Sequence, residues 1–353
     1  MNWLFGIQLV KQLTKCTHFF HLAKENPEKF PPFQGAESAP WPIAGALAEG
    51  PTLVIFILPV QFGSKVRSST MSDLFPISNP AERFISFRSS RLHYSCRGTG
   101  PRVLFAFHGY GESGNSFDIL EAPLGHDFTI VAIDLPFHGA TEWREALYLA
   151  PADLLAVMEE IALGLPGRSA DWWLLGYSMG GRVALQLLQL APAKIRQLVL
   201  LATDGLQMNP WYWLVTQTAA GNRLFRWTMR HPHWLFFLLR SGHFLHLVNP
   251  SVYKFTSYYV DDPRTREKLY ARWTTMRGFR PDLKIVGGFI RRYRIPVRLL
   301  YGSYDRIIRW ERGERFRRLN EPFCELTLLP GGHQLLQPKF TEVIAKALYL
   351  PTN

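Results

Sequence analysis

The chain has 353 residues, is 47% hydrophobic and carries a formal charge of +12. That length suits one large α/β domain with an insertion, or two domains, and the apolar content can fill a sizeable core. Cys16, Cys96 and Cys324 are few, odd in number and widely spaced, so they point to neither a disulfide framework nor a zinc site. They fit a reducing, cytoplasmic setting. The longest apolar run, Thr52 to Val60, is about half the roughly 20 residues a membrane span needs. The first residues lack a basic region followed by an adequate apolar core, so no secretory signal is expected.

Residues 1–80 read as a poorly ordered extension. Pro27, Pro31, Pro32, Pro40, Pro42 and Pro51 interrupt them, and no strand–helix alternation develops. The character changes at Met71, a plausible initiation site. Residues 1–70 are therefore expected to be dispensable, either as an over-extended reading of the start or as a tail that docks on the cap or a membrane. From Ala81 the pattern is regular. Phe84–Phe87 and Leu92–Cys96 alternate as two antiparallel strands around Ser89-Ser90. Val103–Phe107 is a buried strand ending in His108-Gly109-Tyr110-Gly111. Phe128–Leu135 is another, ending in Asp134-Leu135-Pro136-Phe137-His138-Gly139. Pro151–Leu165 has a helical period. A strand and helix follow around residue 178, then the strand Gln197–Ala202. The alternation lapses between Leu206 and Ile295. It resumes with the strand Val297–Tyr301, a helix over Trp310–Leu319, the strand Glu325–Leu329 and a last helix over Phe340–Leu350. Such alternation implies a mostly parallel sheet covered on both faces, with chemistry beyond the carboxyl ends of its strands.

One stretch carries the strongest signal. Asp171-Trp172-Trp173-Leu174-Leu175 leads into Gly176-Tyr177-Ser178-Met179-Gly180-Gly181, and an apolar helical period follows. This is a strand, a sharp turn and a helix, with Gly-x-Ser-x-Gly in the turn, the context a nucleophile elbow demands. The glycines remove side chains that would collide with strand and helix. Ser178 then stands at a helix N-terminus, where developing negative charge is favoured. A serine hydroxyl needs a base, and the base needs an orienting acid. The chain order expected with an elbow is serine, acid, histidine. His333, in the loop after the last strand, is the candidate base. Asp305 is the first candidate acid and Asp204 the reserve. The backbone N–H groups of Met179 and Tyr110 are the candidate oxyanion donors. His108 and His138 read as loop braces.

These residues resemble the α/β-hydrolase superfamily, in its single-domain, cap-bearing branch, over about residues 83–350. His108-Gly109-Tyr110-Gly111, Asp134-Leu135-Pro136-Phe137-His138-Gly139, Gly176-Tyr177-Ser178-Met179-Gly180-Gly181, Gly302-Ser303-Tyr304-Asp305 and Gly332-His333 fall in the family's order. The resemblance implies an eight-stranded, mostly parallel sheet with helices on both faces and an inserted helical cap. The core then comprises 81–205 and 296–353, and the cap 206–295. One departure is Phe137, where the family places glycine. Tyr177 and Arg182, flanking the serine, look like the menaquinone-pathway lyase of this branch, which handles an anion. The competing reading of Arg182 is a helix-surface arginine.

Between Gly205 and Pro296 lie 12 Arg and 3 Lys against 3 Asp and 1 Glu, nearly all of the chain's net charge. The same stretch is rich in Trp and Phe. Trp211 and Trp213 are candidate pocket-lining residues, although most of these aromatics are expected to form the lid's own core. Trp234 to Val248 is too short to span a bilayer but could rest on an anionic membrane surface. His231-x-His233 and His243-x-x-His246 have no carboxylate beside them, so no metal is expected, and no cofactor. No nucleic-acid-binding module accompanies the charge. The leading expectation is a serine hydrolase acting on an ester or related acyl bond of a small, largely apolar substrate. The alternatives are a lyase or carbon–carbon bond hydrolase acting on an anion, and a non-catalytic binding protein on the same scaffold. The sequence leaves the oligomeric state open.

Overall fold

Eight short segments rich in Leu, Val, Ile and aromatic residues form one sheet: β1 (Glu82–Phe87), β2 (Ser90–Arg97), β3 (Arg102–Phe107), β4 (Phe128–Ile133), β5 (Trp172–Tyr177), β6 (Ile195–Leu201), β7 (Val297–Gly302) and β8 (Cys324–Leu329). They come from a computed structural model that describes residues 82–165, 171–244 and 261–349. The expectations for residues 1–80, including a start at Met71, lie outside the described residues.

The strand order is β1-β2-β4-β3-β5-β6-β7-β8. The β1/β2 and β2/β4 pairs are antiparallel and all others parallel. Every residue of β4 is buried, as a strand covered on both faces requires. The edge strand β8 buries Cys324 and Leu329 and exposes Glu325 and Leu328. After β3 the chain steps to β4, then returns past β3 to lay down β5. The order therefore reverses between β3 and β5, and a crevice opens beyond their carboxyl ends. Register holds those ends level: Phe107 pairs with Gly176, Tyr177 with Leu201, Leu201 with Leu300, and Gly302 with Leu329.

Helices cover the sheet. After the short α1 (Glu121–Leu124), α2 (Pro151–Leu163) and α3 (Met179–Leu190) pack together, and α3 inserts its apolar side chains into the core. Among the described residues, four helices follow β6: α4 (Pro210–Gln217), α5 (Ala219–Arg230), α6 (His233–Phe244) and α7 (Pro263–Thr275). Sequence fixes their starts. Asn209 accepts hydrogen bonds from the backbone of Trp211 and Tyr212, with Pro210 as the first helical residue. Asp262 caps α7 in the same way ahead of Pro263. Val215, Phe225, Met229, Leu235 and Leu269 form a hydrophobic cluster of their own. The next helix, α8 (Leu283–Tyr293), does not join it. Val286 and Ile290, with Met276 and Phe279 before them, pack into the sheet's core. The cap expected at 206–295 therefore divides: α4 to α7 form the separate layer, and α8 belongs to the helices covering the sheet. In chain order, α9 (Glu311–Leu319) precedes β8 and α10 (Thr341–Tyr349) follows it. Among the described residues no helix is long and apolar enough to cross a membrane.

Candidate active site

The sharp turn after β5 holds Ser178 at φ +51°, in the left-handed region a serine rarely adopts. Several contacts hold it there. Ser178 N–H donates to Leu201 O at 2.9 Å, and its own carbonyl accepts from Gly181 N (3.0 Å) and Asp204 N (2.9 Å). The glycines are dictated by close approach: a Cβ on Gly176 would meet Gly180 O at 2.6 Å, and one on Gly180 would strike the β3 backbone at Phe107.

The loops after β7 and β8 complete the constellation. His333 Nε2 lies 3.0 Å from Ser178 Oγ, and His333 Nδ1 lies 2.8 Å from Asp305 Oδ2. The other Asp305 oxygen accepts from the backbone N–H of Ile307 (2.7 Å) and Ile308 (3.0 Å). The carboxylate is thereby fixed from both sides, and Asp305 is buried. Three residues separated by up to 155 positions thus form one hydrogen-bonded relay. Asp204 is not part of it. It accepts from Gly205 N at 2.8 Å, and its other oxygen lies 3.6 Å from Arg182 Nη1.

Met179 is the first residue of α3, so its N–H has no partner within the helix and sits where negative charge is favoured. Tyr110 lies in the turn after β3. His108 and His138 act as braces. His108 Nε2 accepts from Leu135 N at 3.1 Å while its Nδ1 meets Gly109 O at 2.8 Å, and His138 Nδ1 meets Pro136 O at 2.9 Å. Burial lowers the pKa of both imidazoles, and for His138 the neighbouring His108 and Arg272 lower it further. Phe137, the departure from the family's glycine, has φ +64°, which is why glycine suits that position.

The four candidate substrate contacts sit in four different surroundings. Arg182 is not on a helix surface: it is 5% exposed, with its guanidinium 4.6 Å from the Tyr212 ring centre and its charge facing Asp204. It ties α3 to α4. Tyr177 is buried beneath the His333 loop, where its hydroxyl donates to Gln334 Oε1 at 2.6 Å. Burial, with the nearby Glu112 and Asp305 carboxylates, pushes its phenol well above the usual range, so it remains a donor. Trp211 packs against the cap's own cluster, and Trp213 is 42% exposed. The side chains of His243 and His246 lie outside those described.

Three residues join the site without having been read from the sequence. Gln334 Nε2 donates to Glu112 Oε1 at 3.3 Å, so Tyr177, Gln334 and Glu112 tie the His333 loop to the loop after β3. Glu112 Oε2 is buried without a hydrogen-bond partner, and burial raises the carboxyl's pKa above the usual range. The signal available was position alone: Gln334 follows His333, and Glu112 follows the oxyanion loop. Arg272, on α7, donates from Nε to Phe137 O at 2.9 Å and lies 5.2 Å from the Tyr110 ring centre. It ties the cap to both loops.

Comparison with known proteins agrees with this fold. A model of the alpha/beta hydrolase fold matches residues 102–336. An esterase of Mycobacterium tuberculosis is 36% identical over 107 residues, 29% of this chain and 33% of its own length. A pimeloyl-[acyl-carrier protein] methyl ester esterase of Nitrosomonas europaea is 33% identical over 124 residues, 35% of this chain and 46% of its own. The matched segments thus span less than half of these relatives. The thioesterase domain from the curacin biosynthetic pathway superposes with a TM-score of 0.52 at 18% identity, over 76% of this chain and 99% of that one. A thermophilic esterase from Thermogutta terrifontis gives 0.52 at 18%, over 76% and 96%. At such identity these structures speak to the fold alone. The family match covers most of the chain, and the chain belongs to the α/β-hydrolase fold family.

Proposed function

We propose that the protein is a serine hydrolase that cleaves an ester or related acyl bond of a small, largely apolar substrate. The observation that carries this reading is the unbroken relay from Asp305 through His333 to Ser178, with 2.8 Å and 3.0 Å steps, at the end of a strained elbow. Esterases among the relatives support the same class of reaction.

The steps follow from the geometry. Ser178 Oγ attacks the acyl carbon as His333 Nε2 takes its proton. Asp305 holds Nδ1–H and stabilises the imidazolium. The Met179 and Tyr110 N–H groups receive the oxyanion. The intermediate collapses as His333 returns the proton to the leaving oxygen, releasing an alcohol and leaving an acyl-enzyme. Water, deprotonated by the same nitrogen, then releases the acid and restores the serine. The lyase or carbon–carbon hydrolase alternative drew on Arg182 as an anion contact. With that charge facing Asp204 and Tyr212, the neutral-ester reading is the better supported. The cap also suits peripheral contact with an anionic membrane: Trp227 and Phe237 are 49% and 70% exposed beside the exposed Arg230 and Arg240.

A fluorophosphonate probe and a panel of p-nitrophenyl esters test the reading. The full chain should be labelled at Ser178 and turn over short and medium acyl esters. Ser178→Ala should lose both while melting at the same temperature. Absence of labelling in the folded wild type, or ester turnover surviving in Ser178→Ala, would reject it.

A further inference from the structure

Away from the Ser178 relay, α8 and α9 enclose a groove of about 250 Å3. Its apolar lining comprises Leu206, Leu283, the buried Phe316 and the exposed Leu319. Its polar lining includes Lys284, Arg291, Arg312 and Arg315, and no Asp or Glu. We propose that this groove is a second binding site, specific for a small amphipathic anion: a carboxylate with a medium-length alkyl chain. The carboxylate would lie among the four cations and the chain against the apolar lining.

The helices are patterned for this. On α9 the carboxylates are already committed: Glu314 pairs with Arg317 and Arg318, and Glu311 pairs with Arg309. Arg312 and Arg315, one turn apart on the groove face with Phe316 and Leu319, have no carboxylate at ion-pair distance among the described residues. On α8, Lys284, Gly287 and Arg291 follow at three- and four-residue intervals and so share a face. Lys284 is exposed and likewise has no acidic partner among the described residues. Gly287 lets α8 approach the end of α9 closely, since a Cβ there would meet Asn320 Oδ1 at 2.6 Å. Arg291 is held in place, donating to Leu319 O at 3.0 Å, and so links the two walls. Four like charges around one concavity repel each other, and a bound anion relieves that repulsion. An inorganic anion would leave the four apolar residues unused, whereas a flat lipid surface would not enter a concave groove. The chemistry on both walls therefore calls for one molecule with a charged head and an apolar tail.

A decanoate carrying a photoreactive diazirine in its chain tests this on the full protein, below its micellar concentration. Crosslinked peptides should map to residues 283–291 and 311–319. Unlabelled decanoate should compete, while acetate and decanol should not. Arg312→Gln/Arg315→Gln should reduce labelling at these two helices by about tenfold or more, the effect of losing charge-assisted contacts. The melting temperature should be unchanged. Lys284→Gln, a single exposed substitution, should give a smaller loss in the same direction and serves if the double variant does not fold. Labelling confined to other segments, equal competition by decanol, or undiminished labelling in Lys284→Gln and the double variant would overturn the proposal. So would binding to phosphatidylglycerol vesicles without saturable capture of monomeric decanoate, which would make this face a membrane contact instead.

Discussion

Asp305→Asn changes one atom and tests the relay directly. In the wild type, Asp305 Oδ1 accepts two backbone N–H groups, from Ile307 and Ile308, at 2.7 and 3.0 Å. An asparagine must keep its carbonyl there. The reverse orientation would turn an NH2 against both donors and leave them unsatisfied, at about 1–3 kcal/mol each. The amide nitrogen then faces His333 Nδ1, where the carboxylate now sits at 2.8 Å. Because the amide nitrogen can only donate, the imidazole must leave Nδ1 bare and carry its proton on Nε2. That nitrogen lies 3.0 Å from Ser178 Oγ and could no longer accept the serine's proton. The expected loss in kcat is about 10⁴-fold, or roughly 5.5 kcal/mol at about 1.36 kcal/mol per tenfold. Stability should change little, since the new side chain has the same shape. Initial rates on p-nitrophenyl butyrate, with a thermal melt alongside, give both quantities. A rate within about tenfold of wild type for Asp305→Asn, with a far larger loss for Asp204→Asn, would show that Asp204 is the orienting acid and the argument is wrong.

Three further outcomes follow from groups around the relay. The Glu112 carboxyl is pushed above its ordinary range by burial, so ionisation in the unfolded chain withdraws stability as pH rises above about 4.5. Glu112→Gln should therefore raise the melting temperature at pH 7–8, by about 1–3 kcal/mol of stability, with the gain vanishing near pH 4; melts across that range check it. A gain that persisted undiminished at pH 4 would exclude ionisation as its cause. Arg182→Met should cost about 2 kcal/mol by loosening α3 from α4, without selectively raising KM for anionic esters; a selective rise would mean the guanidinium reaches substrate after all. Trp211→Ala should lower stability by about 2–3 kcal/mol through the cap cluster, whereas Trp213→Ala should barely affect it. If Trp213→Ala reorders kcat/KM across acyl lengths, its exposed face contacts substrate.

The triad was legible because each member follows a strand and strand ends are what an apolar run reveals. Leu174–Gly176, Leu299–Tyr301 and Leu326–Leu329 announced where Ser178, Asp305 and His333 would stand, and parallel register did the rest. What stayed hidden depends on where side chains point, and neither periodicity nor motif carries that. Arg182 lies four residues past Ser178, a position equally suited to the crevice, the surface or the core. Only the loop after β6 and the placement of α4 bring Asp204 and Tyr212 to it. Tyr177 alternates out of the strand toward Gln334, a partner 157 residues away that no spacing rule connects to it. The packing of α8 stayed hidden for a related reason. Val286 and Ile290 mark a helical apolar face, but such a face fits the cap cluster or the sheet core equally well. The choice was made by Met276 and Phe279, which lead the chain back onto the core before α8 begins. A sequence of this family thus exposes the candidate nucleophile, base and acid, because the fold sets them at strand ends. It conceals those that position them, because they act across loops whose mutual placement exists only once the sheet has formed.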